Sequence, residues 1–264
     1  MDSTDFAHEV GHIAKSFVDA RRDGRSLPDY PGTVPTALAD AYAVQDAAIA
    51  LNEAEIGGWK VGRINPPIDG VDRLAGPIFT PQIIEAGPDS VAMPVFVGGF
   101  AAAEAEFLLR IGATPPAGKM HFTHEEAAAL IDAIHVGIEI ASSPLAAIND
   151  LGAAVTISDF GNNNGLVVGT AIAEWRNADI DSWPLAVTIN GKVIGTGKAA
   201  DMLDGPLGAA RFLFELMAER GIALEAGQWI SSGAVTGVHV VEIGDRIEAR
   251  FGPDLAVECI IKAS

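Results

Sequence analysis

Two glutamates one residue apart, Glu104 and Glu106, stand inside an otherwise apolar run from Phe100 to Ile111. On an extended strand, residues i and i+2 project from the same face, with roots about 6.5 to 7 Å apart. Paired carboxylates on a partly apolar face repel each other and lose hydration unless a cation neutralises them. Glu139, between Ile138 and Ile140, repeats the anomaly in a second segment of alternating character. An E-x-E pair on a strand is by itself usually a solvated face, and the isoleucines around Glu139 weigh against that reading here. Three carboxylates with no Cys nearby and no regular His spacing suit a hard, oxygen-loving ion such as Mg²⁺ or Mn²⁺ and disfavour zinc.

Lys60 is the other unusual residue. It lies in Gly57-Gly58-Trp59-Lys60-Val61-Gly62, where glycines allow close backbone approach and apolar flanks point to partial burial. A buried ammonium needs a carboxylate or an anionic ligand, whereas a lysine that snorkels to the surface needs neither. The remaining constellations are weaker. Gly195-Thr196-Gly197-Lys198 lacks the first glycine of a phosphate loop, where Lys192 stands, and Ala199 replaces its Ser/Thr. No Gly-x-Ser-x-Gly elbow surrounds Ser231-Ser232. His135 shares a strand face with Glu139, and His239 lies on an apolar strand; both read as hydrogen-bonded structural histidines. His8 and His12, one turn apart, read as a solvated helix face.

The elements that must carry these residues follow from periodicity. Residues 3–23 make an amphipathic helix with Phe6, Val10, Ile13 and Phe17 at helical spacing, Ser3 or Thr4 as its cap and Gly24 at its end. Pro28, Pro31, Gly32 and Pro35 punctuate a loop before an Ala-rich helix from about Thr36 to Glu55. From Gly57 onward strands and turns take over. Phe100–Ile111 is a strand; Thr123 and Glu126 form a capping box for a helix to about Ala133; Ile134 to Ile140 alternates with period two. Asn190-Gly191 is a hairpin turn, and residues 206–220 form an apolar helix ended by Gly221. Trp229–Val235, His239–Ile243, Arg246–Phe251 and Leu255–Lys262 complete the strands, with Gly244-Asp245 as a turn. The class is α+β, with a helical N-terminal subdomain at 1–56 and a β-rich core at 57–264.

Composition narrows the partners. The chain has 264 residues and is 49% hydrophobic, enough for a large core. A formal charge of −18 excludes a nucleic-acid or anionic-membrane partner, which would need clustered Lys and Arg. It also means that a carboxylate-bearing substrate needs a local cation. A single cysteine, Cys259, fits a reducing cytoplasmic setting and a buried, inert thiol. The acidic start, Met-Asp-Ser-Thr-Asp, has no apolar segment behind it and is not a signal peptide, and no run approaches the length of a membrane span.

Taken in order, these pieces resemble the fumarylacetoacetate hydrolase superfamily, in its 2-keto-4-pentenoate hydratase and 4-oxalocrotonate decarboxylase branch. The resemblance runs over residues 57–252. It rests on Gly58-Trp59-Lys60-Val61-Gly62, Glu104-Ala105-Glu106-Phe107, Ile138-Glu139-Ile140, Ser158-Asp159 before an Asn-rich turn, and Gly205-Pro206-Leu207. Gly227 to Ala234, Gly244-Asp245-Arg246-Ile247 and Phe251-Gly252 follow in the same order. It implies a mixed β-sandwich-like roll of the fumarylacetoacetate hydrolase C-terminal-domain type, assembled as a homo-oligomer. It implies Mg²⁺ or Mn²⁺ on Glu104, Glu106 and Glu139, with Lys60 beside the substrate.

Acylpyruvate hydrolases of the superfamily carry a His before the first ligand and an Asp as the third. Ala103 and Glu139 stand in those places, so hydration or decarboxylation is favoured over C–C hydrolysis. Two departures matter. Where the branch has Gly-x-Thr and then Pro-Asp-Phe-Gly, with an acid/base Asp, this chain reads Gly62-Arg63-Ile64 and Arg73-Leu74-Ala75-Gly76. Asp72 is near in sequence but out of register. Phe160 also stands where Asn is usual after Asp159.

The expected function is a metal-dependent hydro-lyase acting on a small 2-hydroxy-2,4-dienoate or 2-keto acid. The alternatives are decarboxylation of an oxalocrotonate-like acid, acylpyruvate hydrolysis, and a non-catalytic keto-acid-binding protein. Lys60, Arg73 and Asp72 are the catalytic candidates; Arg63, Asp159 and Lys198 are the substrate-binding ones.

Overall fold

The computed structural model describes residues 3–87 and 90–264, with the side chains of residues 3–7 outside the described part. Phe6 and the Ser3 or Thr4 cap expected from sequence therefore lie outside the described residues. The chain opens with helices α1 (Ser3–Arg22) and α2 (Leu38–Ala50). Strands β1 (Ile56–Ile68), β2 (Val71–Phe79), β3 (Ile83–Glu85), β4 (Val91–Val95) and β5 (Phe100–Ile111) follow. Next come α3 (His124–Ala129), β6 (Ile131–Ser143), α4 (Ala153–Ser158), β7 (Asn163–Ala171), β8 (Pro184–Ile189) and β9 (Lys192–Lys198). The order ends with α5 (Gly205–Arg220), β10 (Trp229–Ser231), β11 (His239–Val240), β12 (Arg246–Phe251) and β13 (Leu255–Ala263).

Two mixed sheets result, the α+β class expected. The first runs β2-β1-β10-β5-β6-β7-β3, with β11 also paired to β5; the second runs β4-β13-β12-β8-β9. Their facing sides bury one continuous core in which Phe107 of β5 meets Phe251 of β12 edge-on at 5.4 Å. Alternation along β5 decides which residues enter it. Ala103, Ala105, Phe107 and Leu109 point inward, which sends Glu104, Glu106 and Leu108 to the opposite face. Helix α3 through Ala127, the segment before it through Phe122, and α5 through Phe214 close one side of the core.

The N-terminal helices share a core with the later chain. Ile13, Phe17 and Val44 pack with Phe79, Leu145, Val155 and Phe160. Cys259 is buried in the main core, and burial pushes its thiol up to about 12, as an inert packing residue requires. No helix among the described residues is long and apolar enough to cross a membrane.

Several boundaries differ from the periodicity reading. Helix α2 stops at Ala50, short of Glu55. The helix capped by Thr123 and Glu126 has its capping box but ends at Ala129, because the β5–β6 ladder already starts at Ile111 and Ile131. A twelve-residue strand buried on both faces rewards pairing more than one further helical turn would. The segment expected as a strand from Trp229 to Val235 leaves the sheet after Ser231. Beyond that point the Gly233 N–H turns to the Glu106 carboxylate.

Candidate metal centre

Glu104 on β5 and Glu139 on β6 are register partners, and Glu106 lies two residues along on the same face. One oxygen from each of the three carboxylates lies within 4.8 Å of the other two. Exposure is 5% for Glu104 and 0% for Glu106 and Glu139, so this is no solvated face. Lys60 of β1, itself 6% exposed, brings Nζ to 3.3 Å from Glu139 Oε1. Asn163 Nδ2 donates to the same Glu139 oxygen at 2.9 Å. Glu106 Oε2 accepts from the Ser231 hydroxyl and from Gly233 N–H at 2.9 Å. Glu106 Oε1 and Glu139 Oε2 are left buried with no partner among the described residues.

Electrostatics define what is missing. Three ionised carboxylates against one ammonium leave two negative charges in a site from which water is largely excluded. Without a cation the cluster responds by holding protons. Burial, then the neighbouring Glu139 charge, pushes Glu104 up to about 7, although Lys60 pulls the other way. Burial followed by the Glu139 and Glu104 charges raises Glu106 well above the usual carboxylate range. Burial opposes the Lys60 ammonium, but Glu139, Glu104 and Glu106 outweigh it and hold its proton more tightly than usual. Two orphaned carboxylate oxygens, a net charge of −2 and an all-oxygen donor set fit a hard divalent cation.

A cavity of about 800 Å³ opens onto this cluster. Lys60 and Glu104 line it together with Arg63, Arg73, Asn162 and Ser232. Its wall depends on backbone that only particular residues tolerate. Phe160, Gly161 and Asn162 follow one another with φ of 52°, 67° and 64°, a left-handed run of the kind stored at functional sites. The Phe160 carbonyl occupies the space that a Cβ on Gly76 would need. A Cβ on Gly161 would come within 2.9 Å of Lys60 Cδ, so this turn packs against the lysine stem.

The other sequence candidates divide. Arg63 and Arg73 reach the cavity. Arg63 is exposed and forms no ion pair among the described residues, whereas Arg73 is held by Asp204 and by Asp72 at 3.4 Å. Asp204 also takes Arg211 at 2.8 Å and His124 at 3.1 Å. Burial is the largest single influence and raises the Asp204 carboxyl, but Arg211, His124 and Arg73 together overcome it and bring the group to about 2. Arg73 is thus held in an ion cluster at the cavity wall, and Asp72, paired with it, is not among the residues that line the cavity.

Asp159 and Lys198 do not reach the cavity. Asp159 is fully buried and clamped by Arg21 of α1, with contacts of 2.5 and 2.9 Å, and by the Ser143 hydroxyl at 2.6 Å. Its charge is already answered, so it anchors the turn that precedes Asn162 instead of meeting a substrate. Lys198 is exposed at the end of β9. Among the histidines, His135 places Nδ1 2.8 Å from the Gly169 carbonyl and His239 lies 3.1 Å from the Thr236 hydroxyl.

The fold has counterparts among solved structures. A 4-oxalocrotonate decarboxylase of Pseudomonas putida G7, solved with magnesium and adipate, superposes with a TM-score of 0.80 at 21% identity, over 97% of this chain and 98% of that one. A fumarylacetoacetate hydrolase family protein of Yersinia pestis CO92 superposes with a TM-score of 0.56 at 16% identity, over 80% of this chain and 94% of that one. The fold is that of the fumarylacetoacetate hydrolase family. In sequence the chain is similar to 2-keto-4-pentenoate hydratase of Paraburkholderia xenovorans LB400, 26% identical over 247 residues, which is 90% of this chain and 89% of the relative. It is also 30% identical to a 4-oxalocrotonate decarboxylase of Pseudomonas putida over 95 residues, 36% of each chain. No family profile matches the chain.

The carboxylate cluster makes the stability of this fumarylacetoacetate hydrolase fold depend on pH and cation together. A carboxyl raised from 4.5 to about 7 by folding destabilises the metal-free protein progressively as pH rises through that window. A bound divalent cation replaces those protons. The expected result is a Mg²⁺-minus-EDTA difference in Tm that is small near pH 5 and grows toward pH 8. A difference that is flat across this range, or absent, would contradict the shared cation site.

Proposed function

We propose that the chain is a divalent-metal-dependent hydro-lyase that adds water to a small 2-hydroxy-2,4-dienoate or its 2-keto tautomer. The observation that carries the reading is three buried carboxylates, two with orphaned oxygens, beside a buried lysine at the end of a cavity. Glu104, Glu106 and Glu139 would hold Mg²⁺ or Mn²⁺. The ion supplies Lewis-acid stabilisation of negative charge on a chelating 2-oxo acid.

The protein's own groups then have distinct tasks. Lys60 keeps its proton at Nζ and its stem packs against the Gly161 turn, so it orients the acid and donates a hydrogen bond to developing charge. Arg63 offers a free guanidinium at the cavity wall in a chain of net charge −18, a local attraction for a carboxylate. The apolar wall of Ile64, Ile68, Leu74 and Val235 accommodates the unsaturated carbon chain and keeps out bulk water. The single buried cysteine supports cytoplasmic residence, and self-association is part of the same reading through the resemblance.

The direct test is incubation of the purified protein and Mg²⁺ with 2-hydroxydienoates, an oxalocrotonate and acylpyruvates while dienol absorbance is followed. Loss of absorbance with a 4-hydroxy-2-oxo acid and no CO₂ supports hydration. Release of CO₂ would transfer the assignment to decarboxylation, which the name of the 30%-identical relative favours. Full turnover in EDTA, or in Glu104→Ala, would sink the metal-dependent scheme altogether. Arg63→Ala should raise KM about 10- to 100-fold, the loss of one charge-assisted hydrogen bond, with kcat and the Mg²⁺ response of Tm little changed. An unaltered KM would remove Arg63 from substrate binding.

A further inference from the structure

Only two of the buried side-chain atoms left without a partner among the described residues belong to residues lining the cavity: Asn162 Oδ1 and Ser232 Oγ. Both residues are nearly inaccessible, 3% and 2% exposed, so neither atom has the compensation of bulk solvent. Each stands next in sequence to a residue beside Lys60. Asn162 follows Gly161, whose backbone presses on the lysine stem, and Ser232 follows Ser231, the register partner of Lys60 on the neighbouring strand.

Each is held by its surroundings. Asn162 is fixed in a left-handed conformation, which asparagine tolerates better than other non-glycine residues. Its Nδ2 donates to Asn149 Oδ1 at 3.4 Å, which leaves Oδ1 as the unused acceptor. The Ser232 N–H is spent on the Phe107 carbonyl at 3.3 Å, which leaves the hydroxyl alone to act as donor and acceptor.

We propose that Asn162 Oδ1 and Ser232 Oγ form the seat for the water that adds to the substrate, in place of a carboxylic acid/base. This rests on the hydration reading. One O–H of the water donates to Asn162 Oδ1 and the other to Ser232 Oγ, which leaves an oxygen lone pair facing the conjugated chain. As the O–C4 bond forms, the C3=C4 π pair moves into the C2 carbonyl, giving an enolate. The proton lost by the water passes to Ser232 Oγ, whose own proton is released to the solvent of the cavity. C3 takes one proton from that solvent as the carbonyl re-forms, so the net change is addition of one water. Such a seat has no role in the preceding tautomerisation of dienol to ketone, so the two steps separate.

The test uses full-length protein with Mg²⁺ and 2-hydroxypenta-2,4-dienoate, scoring ketonisation and the hydrated product by NMR. Ser232→Ala and Asn162→Gly, the latter suited to the positive φ, should each lower hydration about 100-fold, the typical cost of one preorganised hydrogen-bonding group. Ketonisation and the Mg²⁺ response of Tm should persist, the 2-oxo-3-enoate should accumulate, and Ser232→Thr should restore hydration. Hydration within twofold of the parent in both variants overturns the seat. So does parallel loss of hydration, ketonisation and the Mg²⁺ response, which marks a structural role. If the parent protein itself forms no hydrated product, the hydro-lyase reading fails, and the seat with it.

Discussion

Glu106→Gln should abolish the Mg²⁺-dependent rise in Tm while leaving the metal-free protein as stable as the parent, or more stable, at pH 8. Activity should fall by more than about 100-fold, the upper range for loss of an outer partner of a metal ligand. The opposite signs follow from the site. Glu106 is completely buried, and its ionised form meets the charges of Glu139 and Glu104 with only one of its oxygens hydrogen-bonded. The amide oxygen of Gln still accepts from Ser231 and Gly233, and its N–H₂ faces the carboxylates that formerly repelled it. A buried like-charge repulsion is thus exchanged for a neutral donor. The same exchange withdraws one of the three anionic oxygens a hard cation needs. Thermal melts in Mg²⁺ and in EDTA read both effects. A variant that keeps the parental Mg²⁺ response would show that Glu106 is not a ligand.

The features legible in sequence were those in which one residue contradicts its immediate neighbours. Glu104 and Glu106 in an apolar strand, Glu139 among isoleucines and Lys60 between glycines are anomalies visible within a few residues, and the fold brings all four together. Strand β5 has the bounds that its apolar run sets, and the Asn190-Gly191 turn joins β8 to β9.

What sequence could not supply was pairing at long range. Asp159 beside an Asn-rich turn reads the same whether it faces a ligand or an arginine. The partner that decides the matter, Arg21, stands 138 residues earlier. Arg73 looked free for the same reason, since Asp204 is 131 residues away. The Phe160–Asn162 turn carried one usable signal. Asparagines and glycine gather at Gly161-Asn162-Asn163-Asn164-Gly165, and these residue types accept left-handed backbone. That signal marks a turn but does not say that the turn presses on Lys60. Ser232 gave no signal at all, because a serine in a strand-like run is unremarkable until its hydroxyl is found without a partner.

Lys60 is where charge balance and chemistry can be separated by substitution. Lys60→Met removes the cation that faces Glu139 at 3.3 Å in a buried site and leaves the carboxylates uncompensated. Breaking a buried pair from one side costs about 3–5 kcal/mol, so the metal-free variant should melt well below the parent. Saturating Mg²⁺ should recover much of that loss, because the cation takes over the neutralising role. Turnover should not recover. The proton and hydrogen bond at Nζ are gone, and loss of a positioned acid or base typically costs about 10²- to 10⁴-fold. Lys60→Arg makes the complementary case. It keeps the positive charge, and with it most of the metal-free stability, but a guanidinium offers its donors in a rigid planar fork and does not place one where the compact ammonium does. Its turnover should therefore fall as far as that of the Met variant, with a near-parental melt in EDTA. If Lys60→Arg instead retains near-parental turnover, the lysine serves only as a counter-charge, and the placement of its hydrogen bond does not matter to the reaction.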